Sequence, residues 1–315
     1  MKVLYLLGRI FMLKINKNAA LIFLGILLFS LATPLSNFCK QDTISTVKAS
    51  KKSKKPTVKL VGVGDSLTHG VGGPNDFGGY VTMIKKQLEK KEKVKVRTKN
   101  YGKTGDRSDQ ITKRIATQKK LQKDLAKADV ITLTVGGNDL MQVMQNNAEA
   151  MAKNKLSQVM PKAQKKYQKK LANLFESIRR YNQNAPIFII SIYNPFYVYF
   201  PQLTQMQKYT LIWNKLAKAQ AEEDSNAYYV DICDRLSYGQ YDGKSKQKLI
   251  KNTQTDLTEL TSKELEKSLT DKSEKNDYLS VADHFHPNTQ GYKYMTKKLY
   301  QVMEAHKNKW LKKGN

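Results

Sequence analysis

A serine, a histidine and an aspartate stand in this chain where they could together perform acyl transfer. Ser66 lies in Gly62-Val63-Gly64-Asp65-Ser66-Leu67-Thr68-His69-Gly70, and Asp283-His284-Phe285-His286-Pro287 lies far downstream. A serine hydroxyl is a poor nucleophile until a base takes its proton, and the imidazole needs a carboxylate to fix its tautomer and stabilise the imidazolium. Asp283 and His286, three residues apart, could place both side chains on one side of a turn. His284 and His69 compete for the base role on chemistry alone. Each stretch is weak alone, since Gly-Asp-Ser is also an ordinary turn and Asp-x-x-His is commonly a surface pair at a helix start.

Two further stretches strengthen the case. Acyl transfer builds an oxyanion that needs donors already in place. Gly136-Gly137-Asn138-Asp139 offers a side-chain amide from Asn138, with glycines that let backbone and substrate approach closely. Asn100-Tyr101-Gly102-Lys103-Thr104-Gly105 adds Gly105, whose N–H could be a second donor. Asp65 reads as a hydrogen-bonding neighbour of the serine, and Asp231 and Asp234 have no histidine paired with them.

The elements that must position these residues follow from patterning. Val58–Val63, Val94–Thr98, Val130–Val135, Ile187–Ile192 and Tyr228–Ile232 are short β-branched runs bounded by Gly, Pro, Asn or Asp, and read as strands. Between them Tyr80–Lys91, Asp109–Ala126, Ala163–Tyr181 and Thr204–Glu223 carry apolar residues at helical spacing. A last helix should start near Asn288 and bury Tyr292, Met295, Leu299 and Val302. The alternation predicts a mostly parallel five-stranded sheet with helices on both faces, in which sites form at the carboxyl ends of strands. Ser66, Gly105 and Asn138 all fall there. Residues 140–161 and 236–277 break the repeat, the first as a Met- and Gln-rich connection and the second as a polar insertion with room for one helix; either could form a lid. The aromatic stretch 193–200 could wall a groove for an acyl chain or a sugar, touch the membrane surface, form a lid, or pack a loop onto the core.

With these blocks in order, the sequence resembles the SGNH, or GDSL-type, hydrolases over residues 57–305. Gly64-Asp65-Ser66-Leu67, Gly136-Gly137-Asn138-Asp139 and Asp283-His284-Phe285-His286-Pro287 carry the resemblance. The second block is looser: Gly102-Lys103-Thr104-Gly105-Asp106-Arg107 has Thr104 for the family's serine and Arg107 for its threonine. The resemblance implies a flavodoxin-like three-layer α/β/α sandwich. It also implies Ser66 as nucleophile, His286 as base and Asp283 as its orienter, with an oxyanion hole from the N–H groups of Ser66 and Gly105 and the Asn138 amide. No metal or other cofactor is expected, and the substrate would be an ester of a lipid or an acylated glycan.

The chain has 315 residues and a formal charge of +28, of which residues 1–55, with ten basic and one acidic residue, hold +9. The excess is therefore diffuse, as suits contact with anionic surface polymers; nucleic acid rests on charge alone, with no recognition motif. Two cysteines, Cys39 and Cys233, make no disulfide framework. The uncharged run 19–35, preceded by Arg9, Lys14 and Lys17, reads as an uncleaved membrane anchor with the body outside, or else as a signal segment. This anchor (1–35) and a basic tether (36–56) would precede a hydrolase domain at 57–308. The anchor and the insertion resemble those of extracellular Gram-positive members of the family.

Overall fold

The computed structural model describes residues 55–74, 78–147, 149–150, 155–252 and 273–311. The apolar run 19–35, Cys39, all but the last two residues of the tether and the 253–272 part of the insertion lie outside the described residues. Among the described residues no helix is long and apolar enough to cross a membrane.

Five strands, β1 (Thr57–Gly64), β2 (Lys95–Gly102), β3 (Val130–Thr134), β4 (Ile187–Ile190) and β5 (Ala227–Val230), pair in the order 2-1-3-4-5, all parallel. Their period-two side chains divide the apolar residues into two layers. Val61, Val63, Ile131, Leu133, Ile187 and Ile189 face one, while Leu60, Val96, Val130, Phe188, Ile190 and Val230 face the other. Every residue of β3 and β4 is buried, as expected of strands covered on both sides. At the β2 edge, Lys95, Arg97 and Lys99 are exposed.

The strand order fixes where the helices go. The connection from β1 to β2 runs opposite to the later ones, so right-handed crossovers put its helix on the opposite face. Helix α1 (Ser66–His69) is a single turn, and α2 (Tyr80–Lys91) lies in one layer with α8 (Cys233–Tyr238) and α10 (Thr289–Ala305). The other layer holds α3 (Ser108–Thr117), α4 (Lys119–Ala126), α5 (Gly137–Asn146), α6 (Leu156–Arg179) and α7 (Thr204–Glu223). This is the doubly wound α/β arrangement expected from the sequence. The loops after β1 and β3 part at the reversal of strand order, which opens a crevice there.

Four expectations need correction. The helix read as 109–126 breaks at Gln118, whose backbone is extended, and the Gln122 amide donates to the freed carbonyls of Ile115 and Ala116, both at 2.9 Å. The connection read at 140–161 is largely helical, because α5 runs to Asn146 and α6 begins at Leu156. Pro161 sits inside α6, and a helix-interior proline costs about 3 kcal/mol. Burial of Leu156 and Met160 one turn apart offsets that, at roughly 1.5–3 kcal/mol for each side chain. The insertion read from Leu236 starts inside α8, with Leu236 and Ser237 in the core, and its expected helix, α9, spans Gly243–Asn252. At the C-terminus packing continues past residue 308 to Trp310, whose indole N–H donates to the Met303 carbonyl (2.8 Å).

Candidate active site

Ser66 is the first residue of α1, directly after β1. Asp65 caps this turn, its Oδ1 accepting from the Leu67 N–H (3.0 Å) and from Thr134 Oγ1 at the end of β3 (2.7 Å). Thr134 in turn meets Thr68 Oγ1 (2.8 Å), which meets Tyr80 Oη (2.8 Å), so a buried hydroxyl chain fixes the floor beneath the serine. Burial raises the pKa of Asp65 above the usual carboxylate range against the pull of those two hydrogen bonds. The same desolvation lifts the Tyr80 hydroxyl to about 12, so it stays protonated as a hydrogen-bonding strut.

The base arrives on a loop closed by short-range pairing. Leu279 and Pro287 form an antiparallel bridge, Ser280 N–H donates to the His286 carbonyl (2.8 Å), and Asn288 caps α10 while its amide holds the Asp277 and Leu279 carbonyls. Gly72 lets this loop approach. With φ +78°, it would put a β-carbon 2.7 Å from the Pro287 carbonyl oxygen and 3.3 Å from His286 Cβ. Within the loop Asp283 Oδ1 accepts from the N–H groups of Phe285 and His286, both at 3.0 Å, and Oδ2 lies 2.6 Å from His286 Nδ1. His286 Nε2 lies 2.8 Å from Ser66 Oγ. Burial works to raise the pKa of Asp283, but the His286 contact and the two backbone donors outweigh it and hold the carboxyl below its ordinary range. Asp283 is thus a lasting anion beside the imidazole.

Donor groups come from the ends of β2 and β3. Gly105 is in a left-handed turn (φ +82°) with open space where a β-carbon would point. The Asn138 amide, on the first turn of α5, gives one N–H to the Asp106 carbonyl (2.9 Å), which sets it beside the Gly105 turn and leaves its other N–H. Among the described residues no protein acceptor is bonded to the N–H of Ser66 or Gly105. Arg114 ties these loops together, reaching Asp106 Oδ2 (2.5 Å) and the carbonyls of Tyr101 (3.1 Å) and Gly64 (3.0 Å). Asp139 accepts from both the hydroxyl and the N–H of Ser108 (2.6 and 2.9 Å), binding α5 to α3. Arg107, where the family usually has threonine, has its Nε 3.3 Å from Asp109 Oδ1.

The rival groups are engaged elsewhere. His69 Nδ1 contacts the Gly102 carbonyl (3.3 Å), and His284 Nδ1 lies 2.5 Å from Glu274 Oε2 and 3.1 Å from Tyr199 Oη. Asp231 accepts from the Cys233 N–H at the start of α8 (2.9 Å), and burial pushes the Cys233 thiol up to about 12, which removes it as a nucleophile. Residues 196–200 pack a loop onto the core, and Tyr193 adds a hydrogen bond to the Phe285 carbonyl beside the base (2.7 Å). Among the described residues no cluster of His, Cys, Asp and Glu could hold a metal ion. The sequence reading missed Arg114, Ser108 and Thr134. For Arg114 a signal was there: it follows the buried Ile111 by three residues and so flanks the apolar face of α3.

Residues 63–294 match the GDSL-like lipase/acylhydrolase family. The chain is 30% identical over 258 residues to the uncharacterized protein YpmR of Bacillus subtilis, covering 82% of this chain and 86% of that one. It is 26% identical over 247 residues to the spore germination lipase LipC of Bacillus licheniformis, covering 77% and 95% respectively. The lipase Lip_vut3 from a goat rumen metagenome shares the fold with a TM-score of 0.56 at 24% identity, over 78% of this chain and 97% of that one.

Proposed function

Given that the chain belongs to the GDSL-like lipase/acylhydrolase family, we propose that it is a serine esterase working through an acyl-enzyme at the outer cell surface. The observation that carries the mechanism is the unbroken contact series Ser66 Oγ, His286 Nε2, His286 Nδ1, Asp283 Oδ2. In this reading His286 takes the Ser66 proton as Oγ attacks the ester carbonyl. The oxyanion that forms is met by the N–H groups of Ser66 and Gly105 and by the free N–H of Asn138. His286 then delivers its proton to the leaving alcohol, and the ester bond breaks. Water, activated by the same imidazole, attacks the acyl-serine and releases the acid. Asp283 holds the imidazole in the tautomer with hydrogen on Nδ1 and balances the imidazolium.

Location rests on the uncharged run 19–35 and on Arg9, Lys14 and Lys17 before it. The +28 charge favours a setting among anionic polymers. An idle surface protein that only holds such polymers would have no need of the aligned triad. Replacing Ser66 with alanine separates the two readings. Hydrolysis of p-nitrophenyl esters by the full chain should fall by about 10⁶ in kcat, and labelling by a fluorophosphonate should vanish. Retention of either overturns the assignment.

A further inference from the structure

Period-two alternation gives the sheet a cationic corner. Lys59 in β1 shares a face with Val61, and Lys95, Arg97 and Lys99 in β2 point away from the face of Val96. Parallel pairing of Lys59 with Arg97 sets all of them on one side, where they are exposed. The Tyr101 hydroxyl donates to Asp124 Oδ2 (2.6 Å) and so docks α4 against the end of β2. Lys120, one turn before Asp124, and Lys127, at the end of α4, are exposed as well. Two carboxylates lie among these cations, and both already accept hydrogen bonds, Asp124 from Tyr101 and Asp129 from the Lys59 N–H (2.8 Å). Among the described residues none of the cations is ion-paired. The row is aimed at the site: β2 carries it from Lys95 to Gly102, and the exposed Lys103 leads on into the Gly105 turn.

We propose that this row holds a linear phosphate-bridged polymer and so brings ester groups carried on that polymer to Ser66. Delivery to Ser66 rests on the serine esterase reading above. Shape and surroundings select the occupant. Successive cations along β2 stand about 6.6 Å apart, and a flexible chain with one negative charge per repeat can meet each in turn. A membrane surface would call for apolar side chains beside the charges, whereas the exposed large hydrophobic residues Leu211, Ile250 and Val281 belong to α7, α9 and the loop of the base. A single-stranded nucleic acid would call for exposed aromatic platforms, whereas the Tyr101 ring at this edge is half-buried and tied to Asp124.

The test replaces Lys95, Arg97 and Lys99 together with glutamine in the full chain, with thermal unfolding as the check on folding. A second variant replaces Lys293, Lys297 and Lys309 with glutamine, which removes the same charge from the opposite layer. Binding of long-chain inorganic polyphosphate should weaken about tenfold or more in the first variant and about twofold at most in the second. In the first, the slope of log K against log salt should also become shallower by about 2. On acetylated poly(glycerol phosphate) the first variant should lose about tenfold in kcat/KM for acetate release, through KM, while p-nitrophenyl acetate is hydrolysed at the original rate. Equal losses in both variants would reduce the effect to net charge and overturn the row. Tighter binding of phosphatidylglycerol vesicles or of oligothymidylate than of polyphosphate would overturn it too. Acetate release from the polymer that the first variant leaves unchanged overturns the delivery. If p-nitrophenyl acetate is not hydrolysed and a fluorophosphonate does not label Ser66, the esterase reading fails and the delivery with it, while the polyphosphate comparison still decides the row.

Discussion

His284 is one of two non-glycine residues with positive φ among the described residues (φ +54°), it is buried, and its neighbours on both sides serve the triad. Replacing it with glycine sets two effects against each other. Relief of the left-handed backbone should return roughly 1–2 kcal/mol. The extra freedom that glycine gives the unfolded chain removes roughly 0.4–1 kcal/mol of that. Against the remainder stands the contact to Glu274, a side chain only 5% exposed that also accepts from Tyr199 Oη and from the Asn276 N–H, both at 2.8 Å. A hydrogen bond to a buried charged group is worth about 1.5–3 kcal/mol, and the emptied imidazole space adds to its loss. Glycine should therefore destabilise by about 2 kcal/mol net, lowering Tm by roughly 4–8 °C for a domain of this size. Urea unfolding of the single and double variants is the assay. In the His284→Gly background, Glu274→Gln should cost at least about 1 kcal/mol less than in the unaltered protein, since the pair is already broken. His284→Asn, which tolerates the left-handed region and keeps a donor, should fall between. A glycine variant as stable as the original would refute the reasoning, because backbone conformation would then outweigh the clamp.

Gly72→Ala should lower kcat about 10–10²-fold on a p-nitrophenyl ester with KM little changed, because the added methyl meets Pro287 and shifts His286 from Ser66; kcat within twofold of the original would show that the loop yields freely. Asp65→Asn keeps the acceptor for Leu67 and Thr134 but removes a carboxyl whose folded pKa is raised by burial. Between the ordinary carboxylate pKa and that raised value the folded state binds more protons than the unfolded one, so the native protein loses stability as pH rises through this window. Stability of Asp65→Asn relative to the original, followed by urea unfolding, should therefore climb with pH across the window and level off above it; a flat difference would exclude this role for Asp65.

What could be read from the chain depended on how narrowly the chemistry restricts residue type. Ser66, Asn138, Asp283 and His286 stand at strand ends or before a capped helix, where a hydroxyl, an amide, a carboxylate and an imidazole have few other reasons to occur in that order. The sheet was legible for a related reason, since residues such as Ile187–Ile190 are buried on both faces and show it in composition. Thr134 and Ser108 were hidden because threonine in a strand and serine at a helix start are ordinary choices, and their value lies in partners distant in sequence, Asp65 and Asp139. Glu274 was hidden more deeply. It sits in a lysine- and glutamate-rich stretch that reads as solvated surface, and only the folded chain brings it under Tyr199 and against His284.

Gln118 and Pro161 mark the same limit for secondary structure. One ends a helix that its periodicity would continue, and the other lies inside a helix that its residue type would stop. In both cases tertiary burial decides, through Leu121 and Leu125 in the first and Leu156 and Met160 in the second. Residues that perform chemistry must be of particular types and so leave a mark in the sequence; residues that hold them in place need only be complementary to one another. Arg114 belongs to the second group, yet a guanidinium flanking an apolar helical face must find acceptors, and here it finds them at the ends of β1 and β2 and at Asp106. The supporting residues of such a site are therefore best sought as polar side chains at positions whose spacing predicts burial.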